Sequence, residues 1–264
     1  MESLTTLIKK NKALDFAGKK VKRLHRRWKN KKGEKYCNLC GSRVVAFRPA
    51  DREEELFHNH NVIGGGYREA CFCPVCGGRD RQRWLYYVVE HYTDVFSLRG
   101  RILHFAPETI LKERITRNRH AEYYGADIVP GKADYVVDIT DIPFRDGYFD
   151  YIISNHLLEH VSDEGKAVSE VKRTLKDGGR WIFSFPICMD MKTYEDASIT
   201  SPQERQRAFG QEDHVRLYGY DFEERFRSYG LDLQVYRPRD LLDDAQITRL
   251  GLIRDDVIIL ASRR

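Results

Sequence analysis

The chain has 264 residues, enough for one large or two modest domains, and its 41% hydrophobic and 32% charged residues are the balance of an ordinary soluble globular protein. No apolar run reaches the ~20 residues of a membrane-spanning helix, and the first residues lack the apolar stretch and small-residue cleavage site of a secretory signal, so the expected setting is cytoplasmic, where six cysteines read as metal ligands or free thiols. The net charge of +5 hides a division: residues 1–36 hold 13 Lys and Arg against 3 Asp and Glu, a local +10, which leaves the remaining 228 residues at −5.

Within this basic arm, Leu4, Leu7, Ile8, Leu14, Val21, Leu24 and Trp28 recur at spacings of three, four and seven. That pattern predicts an amphipathic helix over residues 1–34, broken at Gly18. A Lys/Arg face opposite a Leu/Trp stripe suits peripheral contact with an anionic membrane, which would put the protein at the inner face of the membrane. The same charges could follow the phosphates of a nucleic acid, although an acidic body argues against it, and a solvated tail is the third reading.

Residues 35–80 carry two Cys-x2-Cys-Gly knuckles, Cys37 with Cys40 and Cys73 with Cys76, separated by 32 residues. This is the spacing of a zinc ribbon: each knuckle presents two thiolates together, and four converging thiolates make a closed, structural tetrahedral Zn²⁺ site. A redox dithiol is the alternative, and Cys71 is the ambiguous fifth cysteine of this stretch. Gly64, Gly65 and Gly66 read as a close-packed or flexible turn. Residues 81–97 follow as a linker helix, with Leu85, Val88, Val89, Tyr92 and Phe96 at helical spacing and Asp80 as the expected N-cap.

From residue 98 to 264 the pattern alternates strands with amphipathic segments. Strands are expected at Arg101–Phe105, Glu122–Asp127, Tyr135–Asp138, Tyr151–Ser154, Trp181–Pro186, Leu231–Tyr236 and Val257–Ala261, with helices at 162–176 and 221–229. The fold class is α/β, with a mostly parallel Rossmann-like sheet of seven strands. In such a sheet the ligand lies beyond the carboxyl ends of the strands. Asp127 is placed like the acid that takes the two ribose hydroxyls of a nucleoside, and Asp138 with the Ile139 N–H suits an adenine edge.

Four stretches, in order and correctly spaced, resemble the class I S-adenosylmethionine-dependent methyltransferases of the methyltransferase-11 type: Asp138 to Phe144, Tyr148 to Ile153, Leu158 to Val161, and Leu175 to Gly179. The ribbon, the stretch from Leu103 to Glu108 and the segment from Phe209 to Gly219 are similar to a zinc-ribbon-bearing subgroup associated with modification of cell-surface glycans. The resemblance implies S-adenosylmethionine as cofactor, held by Phe105, Ala106, Pro107 and Glu108, by Asp127 and Ile128, by Asp138 and Ile139, and by Asn155. One departure stands out: the glycine-rich turn usual after the first strand is replaced by Ala106, Pro107 and Glu108.

The activity so implied is methylation of an oxygen on a sugar, glycan or glycolipid intermediate. A hydroxyl must lose its proton as it attacks, so a base is sought near the acceptor. His214 is the first candidate, with Glu212 to orient it and His156 as an alternative; Arg216, Tyr194 and Tyr218 are the expected acceptor contacts. Two rival readings stay open: an RNA methyltransferase that uses the ribbon for recognition, and a non-catalytic zinc-ribbon binding module.

Overall fold

A computed structural model describes residues 21–50 and 55–263. Residues 21–30 are helical, and residues 1–20 of the expected arm helix lie outside the described residues. The stripe on this helix does not pack on the body: Val21, Leu24 and Trp28 are 65%, 58% and 63% exposed.

The ribbon opens with an antiparallel hairpin of β1 (Lys35–Cys37) and β2 (Ser42–Val44), followed by β3 (Arg48–Ala50), which pairs with β5 (Arg68–Phe72). Between them lie a short helix, α1 (Glu55–Asn59), and a two-residue strand, β4 (Val62–Ile63). The linker helix is α2 (Asp80–Tyr92). Its N-cap is Arg79, whose N–H donates to Gln82 Oε1 at 3.0 Å. Asp80, expected in that role, is instead buried as the partner of Arg68 at 2.7 Å, so its carboxylate serves a charge rather than a cap. The helix stops at Tyr92, short of Phe96, because Thr93 takes an extended backbone and donates its hydroxyl to the Val89 carbonyl at 2.6 Å.

The large sheet is built from β6 (Arg101–Phe105), β7 (Glu122–Asp127), β8 (Tyr135–Val136), β9 (Phe149–Asn155) and β10 (Leu175–Ser184), with β14 (Leu231–Tyr236) and β15 (Ile258–Arg263) closing one edge. Its order is β14-β15-β10-β9-β6-β7-β8. Strands β6 to β10 run parallel, and β15 enters antiparallel between β10 and β14. The third strand ends two residues early, because the Asp138 carboxylate turns to accept from the Thr140 N–H and hydroxyl at 2.8 Å. Strand β10 begins six residues before Trp181 and absorbs Gly178 and Gly179 in a register shift against β9. Connecting helices are α3 (Thr109–Ile115), α4 (Glu164–Thr174, N-capped by Asp163) and, beyond the fifth strand, α5 (Pro202–Phe209), α6 (Phe222–Ser228) and α7 (Asp244–Leu250).

A second sheet, absent from the sequence reading, crosses from body to ribbon. Its order is β12 (Tyr194–Glu195), β13 (Arg216–Gly219), β11 (Ile187–Cys188) and β4, the last pairing Ile63 with Ile187 and Val62 with Cys188. Packing also ignores the sequence seams. One core joins Cys37, Val44 and Cys73 of the ribbon to Trp84 and Val88 of α2 and to Ile102, Ile153, Ile182 and Leu260 of the large sheet. At its centre the fully buried Arg83 donates to the carbonyls of Ala70, Cys71, Gly78, Leu250 and Gly251 at 2.6–3.2 Å. Five donors meet five acceptors, which is how a guanidinium becomes tolerable in an apolar interior.

Candidate functional site

Chain order reverses direction between β6 and β9, and ligands of open α/β sheets sit beyond the carboxyl ends of strands at such a point. Two residues there hold left-handed backbones without being glycine: Ala106 (φ 44°), after β6, and His156 (φ 51°), after β9. Such strain persists where the surroundings enforce it, and it collects at binding sites. Ala106 takes the conformation a glycine turn would supply, with its N–H donating to the Ala126 carbonyl at 2.8 Å. Behind it a buried chain of side chains runs from Tyr123 to His104 (3.1 Å), from His104 Nε2 to Glu108 (2.9 Å), and from Asn155 Nδ2 to Glu108 (2.7 Å). Asn155 in turn accepts from the Ser184 hydroxyl. Burial alone would raise Glu108, but the His104 contact and the Asn155 amide outweigh it and hold the carboxyl below its ordinary range.

Asp127 ends β7 and accepts from the Val129 N–H with one oxygen at 2.9 Å; among the described residues its second oxygen has no partner inside the chain. The apolar side chains beside it, Ile128 and Val129, are exposed, as are Tyr135 and Val136 on the neighbouring strand. Asp138 is exposed and Ile139 is buried. A turn that admits close backbone approach, a carboxylate with an unengaged oxygen and an uncovered apolar shelf could hold the amino-acid, ribose and adenine parts of S-adenosylmethionine in that order.

Directly after Asn155 the chain enters a second space. His156 and Glu159 line a cavity of about 190 Å³, walled on the ribbon side by Gly64, Arg68, Arg79 and Arg81. Glu159 sits in the turn Leu158–His160, 2% exposed, with Oε1 3.2 Å from His156 Nδ1 and Oε2 without a hydrogen-bond partner. Burial pushes the Glu159 carboxyl up, Asp213 adds to this, and Arg81 and Arg216 oppose it; the result is about 8. His156 is held well below its ordinary range by burial first, then by the charges of Arg81 and Arg68, so it is a neutral imidazole. Arg81 Nη1 lies 3.3 Å from its Nδ1, and an arginine only donates, which puts the imidazole proton on Nε2. That Nε2 is buried and also lacks a partner. The cavity wall therefore presents one donor and one high-pKa carboxylate side by side.

The residues named from sequence divide. His214 lines the cavity, 2% exposed, its Nδ1 3.0 Å from the Phe209 carbonyl and its ring edge-on to His160 at 4.6 Å. Glu212 is exposed and outside the lining, where Gln211 takes its place. Arg216 does not face an acceptor. It is 3% exposed and donates to the carbonyls of Leu158, Val161 and Ser162 and to Glu195, which commits its fork to holding the turn that carries Glu159. Tyr218 is fully buried, stacked on Phe185 at 3.8 Å, with its hydroxyl on Glu164 at 3.1 Å. Tyr194, on the edge strand β12, packs against Phe209 and does not line the cavity. Sequence reasoning passed over Glu159 as a base and Arg79 and Arg81 as cavity residues. The only signal was their place, in the Leu158 to Val161 motif and just after the second knuckle.

The four knuckle sulfurs converge within 4.8 Å of one another, with Cys37 Sγ 3.8 Å from Cys76 Sγ and Cys40 Sγ 3.9 Å from Cys73 Sγ. Zn–S bonds of ~2.3 Å in a tetrahedron put sulfurs ~3.8 Å apart, so these residues could hold Zn²⁺. Cys71 stands apart from them: its thiol donates to Asp80 at 3.4 Å and accepts from Arg68 at 3.3 Å.

Residues 107–183 match the family described as methyltransferase domain. An arsenite methyltransferase of Aquipseudomonas alcaligenes is 29% identical over 136 residues, covering 50% of this chain and 37% of that protein. A ubiquinone/menaquinone biosynthesis C-methyltransferase of Vibrio cholerae is 41% identical over 76 residues, covering 27% of this chain and 29% of that protein. The chain thus spans about a third of the length of the curated relatives it matches. Among solved structures, the [4+2]-cyclase SpnF is 16% identical with a TM-score of 0.46, over 69% of this chain and 80% of that one. The YcgJ protein of Bacillus subtilis is 17% identical with a TM-score of 0.44, over 69% and 99%. Residues 107–183 carry a methyltransferase domain.

Proposed function

We propose that the chain is an S-adenosylmethionine-dependent O-methyltransferase whose acceptor, a glycan or other small hydroxyl-bearing molecule, occupies the cavity between ribbon and sheet. The observation that carries this reading is the adjacency of Asn155 and His156 at the end of β9, one in the cofactor cradle and the other in the cavity wall. When bound, the cofactor supplies an electrophilic sulfonium methyl group, so the transfer is an in-line displacement that depends on alignment. Ala106, Glu108, Asn155 and Asp127 would hold it. The acceptor hydroxyl donates to Glu159, which takes its proton as the oxygen attacks, while His156 Nε2–H positions the acceptor. A carboxyl at about 8 is far better matched to this task near neutral pH than an ordinary glutamate. Arg216 acts as a positioning residue by holding the turn. His214 keeps a supporting place in the wall, in contrast to the role expected for it from sequence.

The knuckle cysteines would hold a structural Zn²⁺, a closed four-thiolate site that supplies shape rather than chemistry. The exposed Val21, Leu24 and Trp28 stripe supports peripheral docking of the arm on an anionic membrane, and no helix among the described residues is long and apolar enough to cross one. Calorimetry with S-adenosylmethionine tests the reading: the chain should bind it, Asp127→Ala should weaken binding by about tenfold, and an acceptor screen with labelled cofactor should identify the product. No binding by the intact chain would refute it. Liposome flotation with and without residues 1–34 tests the arm, and unchanged flotation would remove it from the account.

A further inference from the structure

The cavity wall is electrically unbalanced. Three arginines line it, and among the described residues only Arg68 has an ion-pair partner. Arg68 bonds Asp80 at 2.7 Å, the Cys71 sulfur at 3.3 Å and the Gly64 and Gly66 carbonyls at 3.1 and 3.2 Å, which fixes it as part of the wall. Arg79 and Arg81 have no carboxylate within 4 Å among the described residues. Arg79 lies over the Phe72 ring at 5.6 Å, and among the described residues Arg81 has His156 as its one side-chain hydrogen-bond partner. Burial first, and then the neighbouring charge of Arg79, press the Arg81 guanidinium down from its ordinary range, against the opposing charges of Glu159 and Glu108. Two like charges held together beside a cavity, one of them largely desolvated, are unfavourable unless an anion joins them. The nearest lining carboxylate, Glu159, is pushed up to about 8 and supplies little counter-charge at neutral pH. The first turn of α2, a helix of 13 residues, begins between these two arginines and adds its positive end.

Resting on the methyltransferase reading for the word acceptor, we infer that the acceptor is a phosphomonoester whose phosphoryl group is held by Arg79 and Arg81, while a hydroxyl of the same molecule meets Glu159 and His156. Two guanidiniums with no ion-pair partner among the described residues are best balanced by a dianion, whereas a carboxylate would balance only one, and the planar fork of arginine matches phosphate oxygens in pairs. A nucleic-acid backbone is disfavoured by the −5 charge of the body and by a cavity of only about 190 Å³. The two orphaned atoms, Glu159 Oε2 and His156 Nε2, are the hydroxyl's partners, so one small ligand satisfies both the unpaired charges and the unpaired polar groups of this wall.

The test titrates the full-length, zinc-loaded chain calorimetrically with inorganic phosphate, a hexose phosphate, the free hexose, and phosphatidylcholine vesicles carrying phosphatidic acid. Saturable phosphate binding is expected, with the hexose phosphate at least tenfold tighter than the free hexose. Arg79→Gln and Arg81→Gln should each weaken phosphate by about tenfold or more and leave S-adenosylmethionine affinity unchanged. Tighter binding of vesicles that Arg79→Gln and Arg81→Gln weaken assigns the phosphomonoester to a lipid headgroup, and tighter binding of the hexose phosphate assigns it to a soluble sugar; either sustains the inference, whereas vesicle binding that the two variants leave unchanged belongs to the arm and, with no preference for the hexose phosphate, overturns it. Equal affinity of wild type and variants for phosphate, or no preference of wild type for phosphorylated over free hexose, overturns it. Loss of cofactor binding alone, with phosphate binding intact, sinks the methyltransferase reading and leaves the anion site standing. Should a glutamine variant fail to fold, the wild-type melting temperature decides: a saturable rise with the hexose phosphate beyond that with the free hexose plus sulfate at equal ionic strength sustains the site, and no difference overturns it.

Discussion

Replacing Glu159 by glutamine should make the protein more stable and less active at once, with both effects governed by pH. In the folded chain the carboxyl is raised from an ordinary 4.5 to about 8, first by burial and then by Asp213, against the opposing charges of Arg81 and Arg216, with His156 Nδ1 3.2 Å away. Between those two pH values the folded state binds more protons than the unfolded one, so stability falls as pH rises through the window and is fully retained only below 4.5. At 1.36 kcal/mol per pH unit, a shift of this size is worth about 5 kcal/mol once pH exceeds 8 and about 3 kcal/mol at pH 7. Glutamine removes the ionisation, so the stability gain of Glu159→Gln over wild type should be near zero at pH 4.5 and grow to several kcal/mol at pH 9. Urea unfolding at pH 5, 7 and 9 reads this directly. With the acceptor in hand, the wild-type rate should climb about tenfold from pH 7 to pH 9 as the ionised fraction rises from roughly one tenth to nine tenths, and the variant should lose ~10²–10⁴ of it. A stability difference that stays flat with pH, or a variant that methylates at the wild-type rate, would refute the reasoning.

Arg216→Ala should cost about 3 kcal/mol or more, because it leaves the buried Glu164 with Arg225 as its one ion-pair partner among the described residues and frees the turn at residues 158–162; thermal melting should fall while S-adenosylmethionine affinity, read by calorimetry, holds. Metal analysis of the purified chain should find one zinc per molecule, and Cys37→Ser should lower both that content and the melting temperature; full stability in a metal-free chain would argue against the structural role. Asp256 is buried, with Oδ2 lacking a partner, and burial with the nearby Asp80 charge raises it from 3.8 to about 7. Its folded form also binds the extra proton, so stability is lost as pH rises across that interval, and Asp256→Asn should raise the melting temperature at pH 8 far more than at pH 5.

Local patterning carried the large sheet. Arg101–Phe105, Glu122–Asp127 and Leu231–Tyr236 were expected and found to the residue, because each is a short run bounded by breakers and needs no distant partner to be recognised. The cap sheet was not legible: β4 and β11 are two residues each, too short for any period, and they meet across 124 positions from Ile63 to Ile187. The proposed base was hidden for a similar reason. Glu159 is one of 40 acidic residues, and its pKa rises only when the fold buries it and brings Asp213 near, against the opposing charges of Arg81 and Arg216. Arg216 and Tyr218 were misjudged because a polar side chain near an expected pocket looks the same in sequence whether it faces the ligand or the interior; their burial decided the matter. The cysteine pairs were more legible, since the repeated Cys-x2-Cys spacing singles out the four sulfurs that converge, and the fold sets Cys71 apart by engaging it with Arg68 and Asp80.

The buried Arg83 has a consequence for anyone who would cut this chain. Its five carbonyl partners lie on the ribbon and at Leu250 and Gly251, so a single guanidinium splices the two ends of the molecule. Truncation at residue 98 would remove that splice, uncover Ile102, Ile153, Ile182 and Leu260 along one sheet face, and take away the wall that bears Arg68, Arg79 and Arg81. Acceptor choice cannot therefore be transplanted by exchanging the ribbon as a module: a donor ribbon would have to bring its own arginine hub and match a core it did not evolve against.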